Sequence, residues 1–125
     1  MIDTERDNRK LVEKAVLIGI QEQGMQVLEI KEHLDELEEL VENLNIGIVD
    51  KIGVPLKKIM PQYYVGSGKA EELLERVKEL DGDCIIFDSE LSPSQQRNWE
   101  ALSKLCVIDR QEVILDIFAS RASTR

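Results

Sequence analysis

Apolar and polar positions alternate between two periods along this chain. Lys14-Ala15-Val16-Leu17-Ile18-Gly19-Ile20 is a nearly continuous apolar run, the pattern of a strand buried on both faces. After the turn-like Gln21-Glu22-Gln23-Gly24, apolar residues recur at Ile30, Leu34, Leu37, Val41 and Leu44, with acidic residues between them. That spacing predicts an amphipathic helix packed on the sheet, its charged face in solvent. Residues 46–52 read as a second strand at an edge or half exposed. Val54 to Pro61 is bracketed by prolines and predicts an irregular connection, with Lys57-Lys58 as a small basic tip.

A short strand over Tyr63 to Val65, a Gly-Ser-Gly turn and a helix with Leu73, Leu74, Val77 and Leu80 inward come next, with a stop at Asp81-Gly82. Asp83 to Phe87 reads as a buried strand. Ser92-Pro93 has serine at the cap and proline at the first turn of a helix that carries Trp99 and Leu102 inward. Leu105 to Ile108 is the next strand, and a last helix over Gln111 to Ser120 presents Ile114, Ile117 and Phe118. Alternating strands and helices predict an α/β fold: a single three-layer domain whose mostly parallel sheet of four to five strands has helices on both faces. The domain is expected over residues 13–125, after a polar N-terminal segment, residues 1–12.

The 125 residues are enough for one domain with its own core. No apolar run approaches the roughly 18 residues of a membrane span, and the mixed-charge start lacks the features of a secretory signal, so a cytoplasmic location is expected. The formal net charge of −9 argues against a broad electrostatic footprint for nucleic acid, which needs clustered Lys and Arg. Strong nucleic-acid binding by this chain alone is not expected. Basic residues gather locally at Arg110, Arg121 and Arg125; for Arg121 the reading favoured is complement of a helix dipole.

Candidate chemistry is sparse. Gly66-Ser67-Gly68-Lys69 invites comparison with a nucleotide-binding P-loop, but the first glycine of that motif is replaced by Tyr63 and the metal-binding hydroxyl after the lysine by Ala70. The structural reading is that Gly66 and Gly68 allow a tight turn at positive φ and that Ser67 caps a helix starting near Lys69. Amides at such a helix start beside Lys69 could still hold a phosphate or carboxylate. Asp50, Asp88, Glu90 and Asp109 fall beyond strand ends, where parallel sheets gather ligands. Asp88 and Glu90 are therefore candidates for a metal or phosphorylation site, against the reading that Asp88 and Asp109 cap helices or turns. The lone His33 and the serines 89, 92 and 94 lack a partner arrangement for nucleophilic catalysis, and no catalytic residue is assigned. Cys84 and Cys106 lie in apolar runs as buried strand thiols without zinc or redox spacing; a disulfide requires those runs to be neighbours in register, and the expected cytoplasmic setting disfavours one.

The succession Ala15 to Gly19, Tyr64-Val65-Gly66-Ser67-Gly68-Lys69, Phe87-Asp88-Ser89-Glu90-Leu91-Ser92-Pro93-Ser94-Gln95-Gln96-Arg97-Asn98, and Val107-Ile108-Asp109-Arg110 through Asp116-Ile117-Phe118-Ala119 to Arg121-Ala122-Ser123-Thr124-Arg125 resembles the N-terminal domain of HflX-type GTPases over nearly the whole chain. The resemblance implies a parent protein that binds GTP, associates with the large ribosomal subunit and helps split stalled or stressed ribosomes. It also implies a helical subdomain after Thr124-Arg125, to which the main ribosomal contact is attributed, and a later GTPase domain that holds GTP and Mg2+. The 125 residues would then form a scaffold or regulatory platform without cofactor or GTPase site. Its partners would be its own helical and GTPase domains, with Arg110, Arg121 and Arg125 as interdomain or RNA contacts. The alternatives are a weak nucleotide- or phosphate-binding domain built on Gly66 to Lys69, and a freestanding protein-interaction module.

Overall fold

The computed structural model describes residues 12–122, with side chains as far as Ser120. Apart from Val12, the polar N-terminal segment lies outside the described residues, as does Arg125, and the side chain of Arg121 is not described. In chain order the elements are β1 (Lys14–Glu22), α1 (Val27–Glu42), β2 (Gly47–Leu56), α2 (Ser67–Glu79), β3 (Cys84–Phe87), α3 (Pro93–Ser103), β4 (Cys106–Asp109) and α4 (Arg110–Ala122). The sheet order is β2-β1-β3-β4, and each neighbouring pair is parallel.

The apolar run of β1 follows from this position. It is paired on both edges and covered on both faces, so its successive side chains enter two different cores. Val16, Ile18 and Ile20 meet Ala70, Leu73 and Val77 of α2 and Trp99 of α3 in one cluster. Ala15 and Leu17 join Ile30, Leu34, Leu37 and Val41 of α1 and Val113 of α4 in the other. At Gly19 an added Cβ would lie 2.9 Å from Ile30 Cδ1 and from Leu34 Cγ. The glycine is what lets α1 settle on the strand. At the opposite end of the sheet, the Asp83 carboxylate accepts the Glu13 and Lys14 amides at 3.0 and 2.9 Å, pinning the start of β1 to that of β3.

β2 is an edge strand, as its weaker apolar pattern suggests. It runs on through Pro55 to Leu56, further than the proline-bracketed reading expected. An edge position tolerates a residue without an amide hydrogen. A bulge between Ala15 and Val16, opposite Ile48 and Asp50, places Val49 out of register. Residues 63–65 form no fifth strand of this sheet. Tyr64 and Met60 instead exchange backbone hydrogen bonds of 3.1 and 2.9 Å in an isolated antiparallel bridge.

Helix ends depart from expectation in informative ways. α2 begins at Ser67, with Gly66 as its N-cap at φ −65°, and the cap makes no side-chain hydrogen bond. Ser67 therefore does not cap this helix, and Gly66 is not there for positive φ; among the described glycines only Gly24 has it. The C-terminus of α2 is a Schellman turn: Asp81 takes the left-handed conformation at φ 57°, and the Asp81 and Gly82 amides reach Lys78 O at 3.1 Å and Val77 O at 2.9 Å. Gly82 is needed for space, because a Cβ there would lie 3.0 Å from Val77 Cγ1 and 3.1 Å from Val16 Cγ2. α1 stops at Glu42, so Leu44 packs from the following turn. On α4 the inward residues are Val113, Asp116 and the half-buried Ile117, whereas Phe118, expected to face the core, is 66% exposed.

Candidate functional site

The C-terminal edge of the sheet is where the parallel topology concentrates polar side chains. α1 leaves β1 toward one face while α3 leaves β3 toward the other, so the ends of β1 and β3 mark the topological switch. Tyr64 sits there with its hydroxyl donating to Glu22 Oε2 at 3.2 Å. Burial pushes the Tyr64 phenol above its ordinary pKa, and the nearby Ser89 side chain partly opposes this. Tyr64 itself is in the left-handed region at φ 70°. That conformation is unfavourable for a bulky residue and persists only where surroundings fix it.

The fixing comes from α3. Ser92 caps the helix, accepting the Gln95 amide at 3.1 Å, while Gln95 Oε1 accepts the Ser92 amide at 2.9 Å. With Pro93 at the first turn, this is a complete capping box. The same Gln95 donates Nε2 to Met60 O at 2.9 Å, Asn98 donates to Gln62 O at 2.9 Å, and the Trp99 indole donates to Tyr63 O at 2.8 Å. Three side chains on one face of α3 thus hold the 60–63 backbone that precedes Tyr64. Trp99 is wholly buried and meets the Tyr63 and Phe87 rings edge-on, with centroids 5.8 and 5.3 Å away.

Beside this latch is an ion-pair cluster. Arg110, the first residue of α4, places Nε 2.7 Å from Asp88 Oδ1 and a terminal nitrogen on the same oxygen. The guanidinium also donates to His33 O at 3.0 Å and to Glu36 Oε1 at 3.3 Å, tying α1, β3 and α4 together. The His33 ring approaches the other Asp88 oxygen, Nδ1 to Oδ2 being 3.7 Å. His33 is therefore part of this cluster rather than a detached surface side chain. Asp88 caps no helix, in contrast to expectation; it is the acceptor for Arg110. Asp109 does cap: Oδ1 accepts the Glu112 amide at 3.1 Å, and Oδ2 accepts the Leu91 amide at 2.9 Å. Gln96 links α3 to β4 and α4 through Val107 O and Glu112 Oε1, both at 2.7 Å.

The remaining candidates stand apart. Lys69 Nζ lies 3.3 Å from Glu72 Oε1, one turn along α2. A Cβ added at Gly66 or Gly68 would meet nothing within 4 Å, so neither glycine answers a packing need of this domain. Lys57, Lys58 and Glu90 are exposed. Asp50 pairs with Arg76 at 3.1 Å. Among the described residues, no group of three or more His, Cys, Asp or Glu side chains is placed to hold a metal ion, and no helix is long and apolar enough to cross a membrane. Sequence reading missed the hydrogen bonds from Gln95, Asn98 and Trp99 to the 60–63 segment. The Ser-Pro-x-Gln spacing signalled the capping box, but nothing local signalled a contact some 35 residues away.

Comparison with known proteins agrees with this picture. Residues 31–119 match the family described as GTP-binding GTPase N-terminal. The chain is 46% identical over 120 residues to the GTPase HflX of Akkermansia muciniphila, covering 96% of this chain and 28% of that protein. It is 44% identical over 117 residues to the GTPase HflX of Lacrimispora saccharolytica, covering 94% of this chain and 27% of that one. With the GTPase HflX of Escherichia coli the figures are 43% over 115 residues, 90% and 26%. The chain spans little more than a quarter of the length of these curated relatives. A doubly wound sheet whose strand-end residues are latched across α1, α3 and α4, matched along most of its length to these GTPases, is an HflX N-terminal domain, and the chain belongs to the GTP-binding GTPase N-terminal family.

Proposed function

We propose that this domain serves as a rigid platform, without a nucleotide site of its own, within a cytoplasmic HflX-type GTPase that associates with the large ribosomal subunit and helps split stalled or stressed ribosomes. The observation that carries this reading is the mutual occupation of the polar groups at the strand ends. Asp88 is held by Arg110, Asp109 caps α4 and receives Leu91, and Gln95, Asn98 and Trp99 hold the 60–63 backbone. These groups act as internal braces, so a load applied to α4 is passed to α1 through Arg110 and to α3 through Gln96. In such a platform Arg110 contributes to interdomain contact by fixing the start of α4, while Arg121 and Arg125 make the contacts with neighbouring domains or RNA. GTP and Mg2+ belong to the rest of the parent protein.

A second reading rests on the two glycines that packing does not require. Gly66, Ser67 and Gly68 leave the uncapped start of α2 open, and Lys69 is close by, an arrangement able to take a phosphate. Calorimetric titration with GTP and with ATP, each with Mg2+, separates the readings. The platform predicts no saturable binding to this chain and GTP binding only by the full-length parent. Saturable binding to the short chain that disappears in Lys69→Ala would replace the platform with a nucleotide site. The ribosomal part is tested by co-sedimentation of the full-length parent with large subunits, with and without residues 1–125; undiminished sedimentation and splitting without them would remove this domain's role.

A further inference from the structure

Cys84 and Cys106 open the adjacent parallel strands β3 and β4 and are direct partners in register. In-register partners project from the same face, here into the core shared with α1 and α4. The hydrogen bond of the Cys84 thiol is a weak one along its own strand, Sγ donating to the Ile85 carbonyl at 4.0 Å. The two cysteines differ in exposure: Cys84 is fully buried, whereas Cys106, on the edge strand, is partly exposed.

We propose that Cys84 and Cys106 are a redox modification site, closing to a reversible disulfide within the domain when hydrogen peroxide or a related two-electron oxidant is present. Neighbouring strands lie about 4.8 Å apart, within the Cα separations of about 4.4–6.8 Å that a disulfide spans. The Cβ atoms of in-register neighbours stay near the strand spacing, while a relaxed disulfide holds them at about 3.8 Å. Closure therefore draws the start of β4 toward β3 by about 1 Å. A bond formed under that strain is readily reduced, which makes it a switch rather than a permanent staple.

The order of events follows from exposure. The Cys106 thiolate attacks a peroxide oxygen, the O–O bond breaks, and the departing hydroxide takes a proton to leave as water, giving a sulfenic acid. Cys84 sulfur then attacks Cys106 sulfur, the S–OH bond breaks, and the hydroxide leaves as water with the Cys84 proton. In sum, two thiols lose two electrons to one peroxide, and one disulfide and two waters result. The neighbouring Cys106 thiol and burial hold the Cys84 thiol protonated to well above its ordinary pKa, consistent with Cys106 rather than Cys84 meeting the peroxide first. β4 is four residues long and ends at Asp109, directly before Arg110, so a shift at Cys106 reaches the α4 cap and the Arg110 cluster.

The test is to treat the native chain with hydrogen peroxide, alkylate remaining thiols in denaturant, and map tryptic peptides without reduction. The expected product is a monomer lighter by two hydrogen atoms, with peptides 79–97 and 105–110 joined, and separated again by dithiothreitol. Cys84→Ser should leave a dimedone-reactive sulfenic acid on Cys106, and Cys106→Ser should leave Cys84 unoxidised. Sulfinic or sulfonic acid on wild-type Cys106 with Cys84 still alkylated, a disulfide between two chains, or no reaction would each overturn the proposal.

Discussion

Gly19→Ala is the sharpest probe of how α1 is seated, because its register partner supplies an internal control. Gly19 on β1 and Gly53 on β2 are paired across the strands and both face α1. An added Cβ at Gly19 would lie 2.9 Å from Ile30 Cδ1 and Leu34 Cγ, and both side chains are packed in the core. An added Cβ at Gly53 would meet only Ile30 Cγ2 at 3.7 Å, an ordinary contact. Neither glycine has a positive φ. Overpacking of this kind costs about 1–3 kcal/mol, whereas Gly→Ala without strain is neutral or stabilising by up to about 1 kcal/mol through the unfolded chain. With a urea m-value of about 2 kcal/mol/M, a loss of about 2 kcal/mol lowers the midpoint by about 1 M. Trp99, the only tryptophan, is carried by α3 and fully buried, so it reports unfolding by fluorescence. Gly53→Ala should leave the midpoint unchanged or raise it. Equal midpoints for the two variants would refute the seating of α1 on β1 through Ile30 and Leu34.

Other outcomes follow from the latch and the ion pairs. Arg110→Gln removes charge-assisted contacts to Asp88 and Glu36 and should destabilise by about 2 kcal/mol, read by urea unfolding, while His33→Ala, which retains the backbone acceptor for Arg110, should cost less. Ser92→Ala loses a helix cap and should cost about 1 kcal/mol; Gln95→Ala loses both its half of the capping box and the Met60 contact, and amide exchange should quicken in the 60–64 segment only for Gln95→Ala. The hydrogen bond from Lys51 lowers the Asp35 carboxyl below its ordinary 3.8, with desolvation as the next largest effect opposing it and the Lys51 and Lys31 charges adding to the lowering. Because the folded pKa is the lower one, the stabilisation is present above the ordinary value and is lost as pH falls through the folded value. In Lys51→Met the acid limb of stability against pH should therefore be shallower, measured by urea midpoints from neutral pH to below the carboxylate range.

Much of the fold was legible because it depends on local periodicity. The two-sided burial of β1 and β3 appears as unbroken apolar runs, α1 as a stripe spaced by three and four, and the start of α3 as a capping serine followed by proline. A chain that alternates such segments has few ways to bury them other than a parallel sheet between helix layers. The same reading erred where a residue's conformation is set by distant partners. Tyr63 to Val65 has the composition of a strand, yet it lies outside the sheet: Trp99 holds the Tyr63 carbonyl, and Gln95 and Asn98 hold those of Met60 and Gln62 just before it. Pro55 suggested a break, yet an edge position accommodates it. The candidate site divides in the same way. Asp88, Asp109 and Arg110 could be placed beyond strand ends from sequence, since a parallel sheet puts them there. Which carboxylate would take the arginine, which would cap a helix, and that His33 and Glu36 on α1 would complete the cluster were decided by tertiary packing. Those pairings join residues as many as 77 positions apart, and local sequence has no means of encoding the distance between two side chains that only the assembled layers bring together.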